Sequence, residues 1–70
     1  MRQFDIKKAA SGESICTRTG HDVTYICDRN GLVLVDFYEH GKHMYVSAFS
    51  DDGRIRKDSE SDYDLFMKEK

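Results

Sequence analysis

Two kinds of side chain stand out for the chemistry they could do together. Arg18, Arg29, Arg54, Arg56 and Lys57 cluster in turns and in a short charged segment, and Tyr25, Phe37, Tyr38, Tyr45 and Phe49 lie in the apolar stretches beside them. A guanidinium presents a planar fork of donors that matches phosphate, and an aromatic face stacks on a base. A pocket for a nucleotide would use both. In such a pocket Arg18, Arg54 and Arg56 meet phosphate, and Tyr25, Tyr45 and Phe49 stack or line the walls. The competing reading is plainer: strand aromatics fill a core, and turn arginines face water.

Other chemistry finds less support. Asp51-Asp52 is a carboxylate pair, but it directly precedes Gly53, where Asp serves a turn through local hydrogen bonds. Asp62 and Asp64 fit the cap and first turn of a helix. No serine sits in a nucleophile elbow, and no glycine-rich loop opens a helix as a phosphate cradle. His40 and His43 stand three residues apart across a turn, a spacing that suits a metal on a helix better than on a hairpin. They and His21 read as solvated turn histidines. Cys16 and Cys27 lack the companion ligands of a zinc site and read as reduced, mostly buried thiols. We expect a non-enzymatic protein with no metal and no cofactor.

The elements that must position these residues are set by glycine. Gly20, Gly31, Gly41 and Gly53 follow one another at intervals of 11, 10 and 12 residues. Turn signals at that spacing mark an antiparallel β protein. Residues 4–10 read as a short helix closed by Gly12, and 14–17 as a first strand. A turn at 18–21 leads to a strand at 22–27, with Val23, Tyr25 and Cys27 on one face and Thr24 and Ile26 on the other. That register sets Cys16 opposite Val23 and keeps the two thiols apart. Asn30-Gly31 is the strongest hairpin signal. Leu32-Val33-Leu34-Val35 is apolar on both faces and predicts a central strand, 32–38, covered on both sides. A turn at 39–42 leads to a strand at 43–49. Arg54 to Lys57 reads as a charged edge strand. Ser61 reads as the N-cap of a last helical turn that packs Leu65 and Phe66 into the core. The fold class expected is mainly β: about five antiparallel strands in a curled sheet or small open barrel, with short helical segments at the N- and C-terminal ends.

Three stretches taken together carry a resemblance: FDIKKAASGESICTRTGHDVTYICD, FSDDGRI and SDYDLFM. They resemble a group of small proteins from bacteriophages, prophages and gut Bacteroidetes, which share the helix ending in Gly, a T-R-x-G hairpin, a D-G-R turn and a final S-D-Y-D-L-F. A looser, architectural likeness is to the phage Thoeris anti-defence proteins that act as sponges for cyclic ADP-ribose signals, and which oligomerise to bind the signal between subunits. Those proteins carry a Trp after the first basic turn; this chain has His21 near that place. The resemblance implies an anti-defence protein that sequesters a nucleotide-derived immune signal, such as a cyclic ADP-ribose or cyclic nucleotide. It implies a homo-oligomer in the cytoplasm of a bacterial host cell, and it carries over no catalytic residue.

Size and charge bound the alternatives. A chain of 70 residues holds one domain, and a core of that size buries only about 60% of the unfolded surface. Oligomerisation is a natural way to bury more. With 11 basic and 13 acidic residues the formal charge is −2, which disfavours duplex DNA as a partner. No apolar run approaches the roughly 18 residues of a membrane span, and the first residues lack the apolar stretch of a secretory signal. Two alternatives stay open. One is a protein-binding inhibitor of a host defence enzyme, touching a basic partner through residues 58–64 with Leu65, Phe66 and Met67 as anchors. The other is a small barrel that binds single-stranded nucleic acid through aromatics.

Overall fold

The computed structural model describes residues 2–69. In chain order it comprises β1 (Arg2–Gln3), α1 (Ile6–Ala10), β2 (Ile15–Thr17), β3 (Asp22–Arg29), β4 (Leu32–Glu39), β5 (Lys42–Phe49) and β6 (Leu65–Met67). The strands form one six-stranded antiparallel sheet in the order β1-β6-β2-β3-β4-β5. The mainly β class expected from the glycine spacing is therefore the class observed.

Hairpin chemistry explains the central strands. Asn30 and Gly31 both take positive φ, 56° and 78°, as do His40 and Gly41 at 53° and 75°. Paired left-handed residues make the two-residue turn whose twist matches the flanking strands. β3, β4 and β5 thus form a continuous meander. Asp5 caps α1: its carboxylate accepts from the N–H groups of Lys7 (3.0 Å) and Lys8 (3.4 Å). The helix is shorter than the sequence suggests, because Phe4 lies before the cap and is buried against the sheet instead.

One face of the sheet builds the core. Ile15, Val23, Val33, Val35, Phe37, Ala48, Leu65 and Met67 are buried there with Phe4 and Ala9, and Ile6, Tyr25, Val46 and Ile55 pack at its margin. A β-bulge between Tyr25 and Cys27 breaks the expected alternation in β3. Ile26 is the extra residue, so Cys27 pairs with Leu34 and joins Thr24 on the outer face. Cys27 is accordingly exposed, where burial of both thiols was expected. Cys16 is buried and faces Asp22, one residue from the expected Val23. Neither cysteine is in a disulfide. β4 has a strand on each side but lies next to the edge strand, and it is covered on one face only: Leu32 keeps 43% of its surface exposed.

Two segments differ from their sequence reading. Residues 54–57 form no strand. Their backbone partners come from elsewhere: the Arg54 N–H bonds to the Asp52 carboxylate, the Ile55 N–H bonds to the Asp64 carboxylate, and the Arg54 carbonyl accepts from Phe49. Residues 65–67 form β6 in place of a helical turn. Leu65 and Met67 are both buried at a spacing of two, with Phe66 half-buried between them. A strand puts Leu65 and Met67 on one face, whereas a helix would splay them. The adjacent polar backbones of β1 and β2 also supply ladder partners on both sides. The burial of Leu65 and Met67 removes them as anchors for an outside partner.

Gly53 locks the loop after β5 onto this core. Its φ is +72°, and a Cβ there would come within 2.8 Å of Phe4 Cβ and Cγ and 2.9 Å of the Leu65 carbonyl. Leu65 donates its N–H to the Gly53 carbonyl (2.8 Å), so the loop ties β5 to β6 without closing a barrel. Gly53→Ala is expected to cost about 2–4 kcal/mol, through backbone strain and a clash with the buried Phe4 and the Leu65 carbonyl. Gly20→Ala, with nothing near its Cβ position, is expected to cost only about 1–2 kcal/mol. Urea unfolding of the two variants checks the difference.

Candidate functional site

β6, the 50–57 loop and the β2–β3 turn meet around Asp64, which is 1% exposed. One carboxylate oxygen accepts from the Ile55 N–H (3.0 Å), and the other from the Ser61 N–H (3.0 Å) and an Arg18 terminal nitrogen (2.7 Å). Arg18 also donates through Nε to the Ser61 carbonyl (3.1 Å), and its guanidinium lies 5.0 Å over the Phe66 ring. Burial alone pushes the Asp64 carboxyl up. The Arg18 bond and the two backbone donors outweigh it and hold the group below the usual carboxylate range.

Beside this network is a recess of about 320 Å³, with Gln3 and Phe66 on the β1–β6 side and Arg18, Arg54 and Glu60 around them. Arg54 is the notable member. Its Nε is buried and has no hydrogen-bond partner among the described residues. A buried N–H without an acceptor is costly, and being closed to solvent it is closed to a ligand oxygen in this conformation as well. Asp52 and Glu60 on the rim and Asp64 within outnumber the two guanidiniums. Arg18 is engaged by Asp64, so Arg54 is the guanidinium left to meet an anion there.

A second, larger recess of about 650 Å³ lies across Asp52, which borders both. Leu32 and Phe49 give it an apolar floor, with Lys57 Nζ 5.1 Å over the Phe49 ring. The structure thus brings Arg18 and Arg54 together and sets Phe49 in the adjoining hollow. The other candidates lie apart. Tyr25 donates its hydroxyl to Asp28, and that bond pushes its phenol up. Tyr45 stands 66% exposed on the outer face of β5. Arg56 is exposed on the loop. Phe66, which the sequence reading treated as core or anchor, is the aromatic beside the arginines. Its signal was the alternation Leu65-Phe66-Met67, in which the middle residue of a strand must face away from the core.

His40 is solvated as expected, with its side chain 86% exposed, but His21 and His43 are not simply solvated. His21 stacks on Phe37 at 4.2 Å, with Tyr63 edge-on to the same ring at 5.5 Å. His43 Nδ1 lies 2.8 Å from an Asp36 oxygen. No group of three or more metal-binding side chains comes together among the described residues. Burial, and next the charge of Asp22, push the Cys16 thiol up, which makes it a poor nucleophile at neutral pH.

Asp64→Asn is expected to lose about 2–3 kcal/mol of stability at neutral pH, since it leaves donors at a buried site without their charge partner. Arg18 keeps a third of its side chain exposed, so solvent screens its share and the backbone donors carry more. Because the folded carboxyl is depressed, its contribution is complete above the unfolded value of about 4 and is lost as pH falls through the lower folded value. Urea unfolding at neutral and acid pH should show the wild-type advantage shrinking with acid. Alkylation of the native protein, followed by mass, should modify Cys27 readily and Cys16 only after denaturation. Compared with known proteins, the chain matches no family model, no curated protein and no solved structure.

Proposed function

We propose that this chain is a non-enzymatic anti-defence protein of a phage or mobile element, and that it sequesters a small nucleotide-derived signal such as a cyclic ADP-ribose or cyclic nucleotide. The observation that carries the reading is a recess bordered by Arg18, Arg54 and Phe66 together. A phosphate oxygen is the acceptor that a guanidinium fork such as that of Arg54 suits. Phe66, or Phe49 across Asp52, offers the ring face for a base. Arg18 is committed to Asp64 and acts by holding the wall in place. The recess is at the small end of ligand sites, which suits a compact nucleotide.

Thermal unfolding against cyclic nucleotides and ADP-ribose derivatives tests this. A binder at 100 times its Kd stabilises by about 2.7 kcal/mol, and each kcal/mol moves the melting point of so small a domain by roughly 4–8 °C. The expected result is a shift with one ligand class that is lost in Arg54→Gln and kept in Arg56→Gln. No shift with any member overturns the reading for those ligands and favours a protein partner.

A further inference from the structure

The two edges of the sheet are unlike. β1 is two residues long, and the side chain of its Arg2 donates to the Lys68 carbonyl. β5 is eight residues long, and no strand flanks its outer side among the described residues. A short edge is protected by its length, whereas a long one offers a row of open donors and acceptors.

Which groups are open follows from the turn. A two-residue turn makes Glu39 and Lys42 a hydrogen-bonded pair, so Met44, Val46 and Ala48 also bond to β4. His43, Tyr45, Ser47 and Phe49 then direct their N–H and C=O groups outward. Phe49 bears this out, since its N–H bonds to the Arg54 carbonyl (2.8 Å) and not to β4. The loop thus covers the edge at Phe49. The open segment runs from His43 to Ser47 and is centred on Tyr45. Its side chains are bare on both faces: Tyr45 is 66% exposed on the outer face and Met44 39% exposed on the core face. A neighbouring strand would cover both.

We propose that this edge pairs antiparallel with the same edge of a second copy, about a two-fold axis at Tyr45. The segment is complementary to itself. Tyr45 meets Tyr45, His43 meets Ser47, and Met44 meets Val46, so apolar faces apolar and no like charges are opposed. The charges outside the segment agree: Lys42 stands before it and Asp51 after it, both exposed. An antiparallel pair brings the Lys42 end of each copy to the Asp51 end of the other, and a parallel pair does not. The contact is isologous and therefore closes at two copies.

The test is molar mass by light scattering on the full chain, with far-UV circular dichroism and melting to verify folding. Wild type is expected at the dimer mass. Tyr45→Lys, which opposes two lysines on the axis, is expected at the monomer mass with its fold kept. Mixing Tyr45→Lys with Tyr45→Glu is expected to restore the dimer mass. Should Tyr45→Lys fail to fold, Ser47→Pro removes an outward N–H of the same edge without touching the β4 ladder. A monomeric wild type at every concentration overturns the proposal. So does a folded Tyr45→Lys or Ser47→Pro variant that stays dimeric, which would place the interface elsewhere. Ligand binding at Arg54 is read separately, so neither result depends on the other.

Discussion

Asp64 brings a negative charge to a place where water scarcely reaches, and a carboxylate at such depth persists only with donors around it. Here the donors come from three separate parts of the chain: Arg18 from the β2–β3 turn, Ile55 from the loop after β5, and Ser61 from the approach to β6. These segments share little regular structure, and the loop has no ladder of its own. The carboxylate does for them what strand pairing does for the meander. It fixes where β6 enters the sheet, and thereby the recess beside it.

That arrangement explains what could and could not be read in advance. The two-residue turns at Asn30-Gly31 and His40-Gly41 were legible because left-handed backbone leaves few choices of residue. The strands between them followed from alternation. The bulge at Ile26 was not legible, because one extra residue changes parity without changing composition. The reading of 61–67 as a capped helix failed for a related reason. Ser61 and Asp64 have cap-like spacing, yet here the Ser61 N–H bonds to the Asp64 side chain and the Asp64 N–H to the Ser61 carbonyl, a local turn that leads into a strand. Local chemistry was satisfied either way, and the open slot between β1 and β2 decided it.

The site shows the same division. Arg18 and Arg54 were marked by residue type and turn position, and they do border one recess. Tyr25 and Tyr45 were marked by type alone, and the sheet sends them to other places. Type indicates what a side chain can bind. Only pairing register indicates which side chains share a surface, and the pairing of β6 with β2 joins residues some 50 positions apart that no local pattern connects.

The placement of β6 also bears on the order in which the chain can assemble. β3, β4 and β5 join through two-residue turns, so their contacts close short loops at small entropic cost. β6 pairs with β1 and β2, across nearly the whole chain. Loop-closure entropy therefore weighs most against its pairing, and favours a meander that forms first. Until β6 pairs, the apolar side of β2, with Ile15, stands open beside an empty strand position. The nascent chain is thus most vulnerable to misassociation at the side of the sheet that the finished protein hides best.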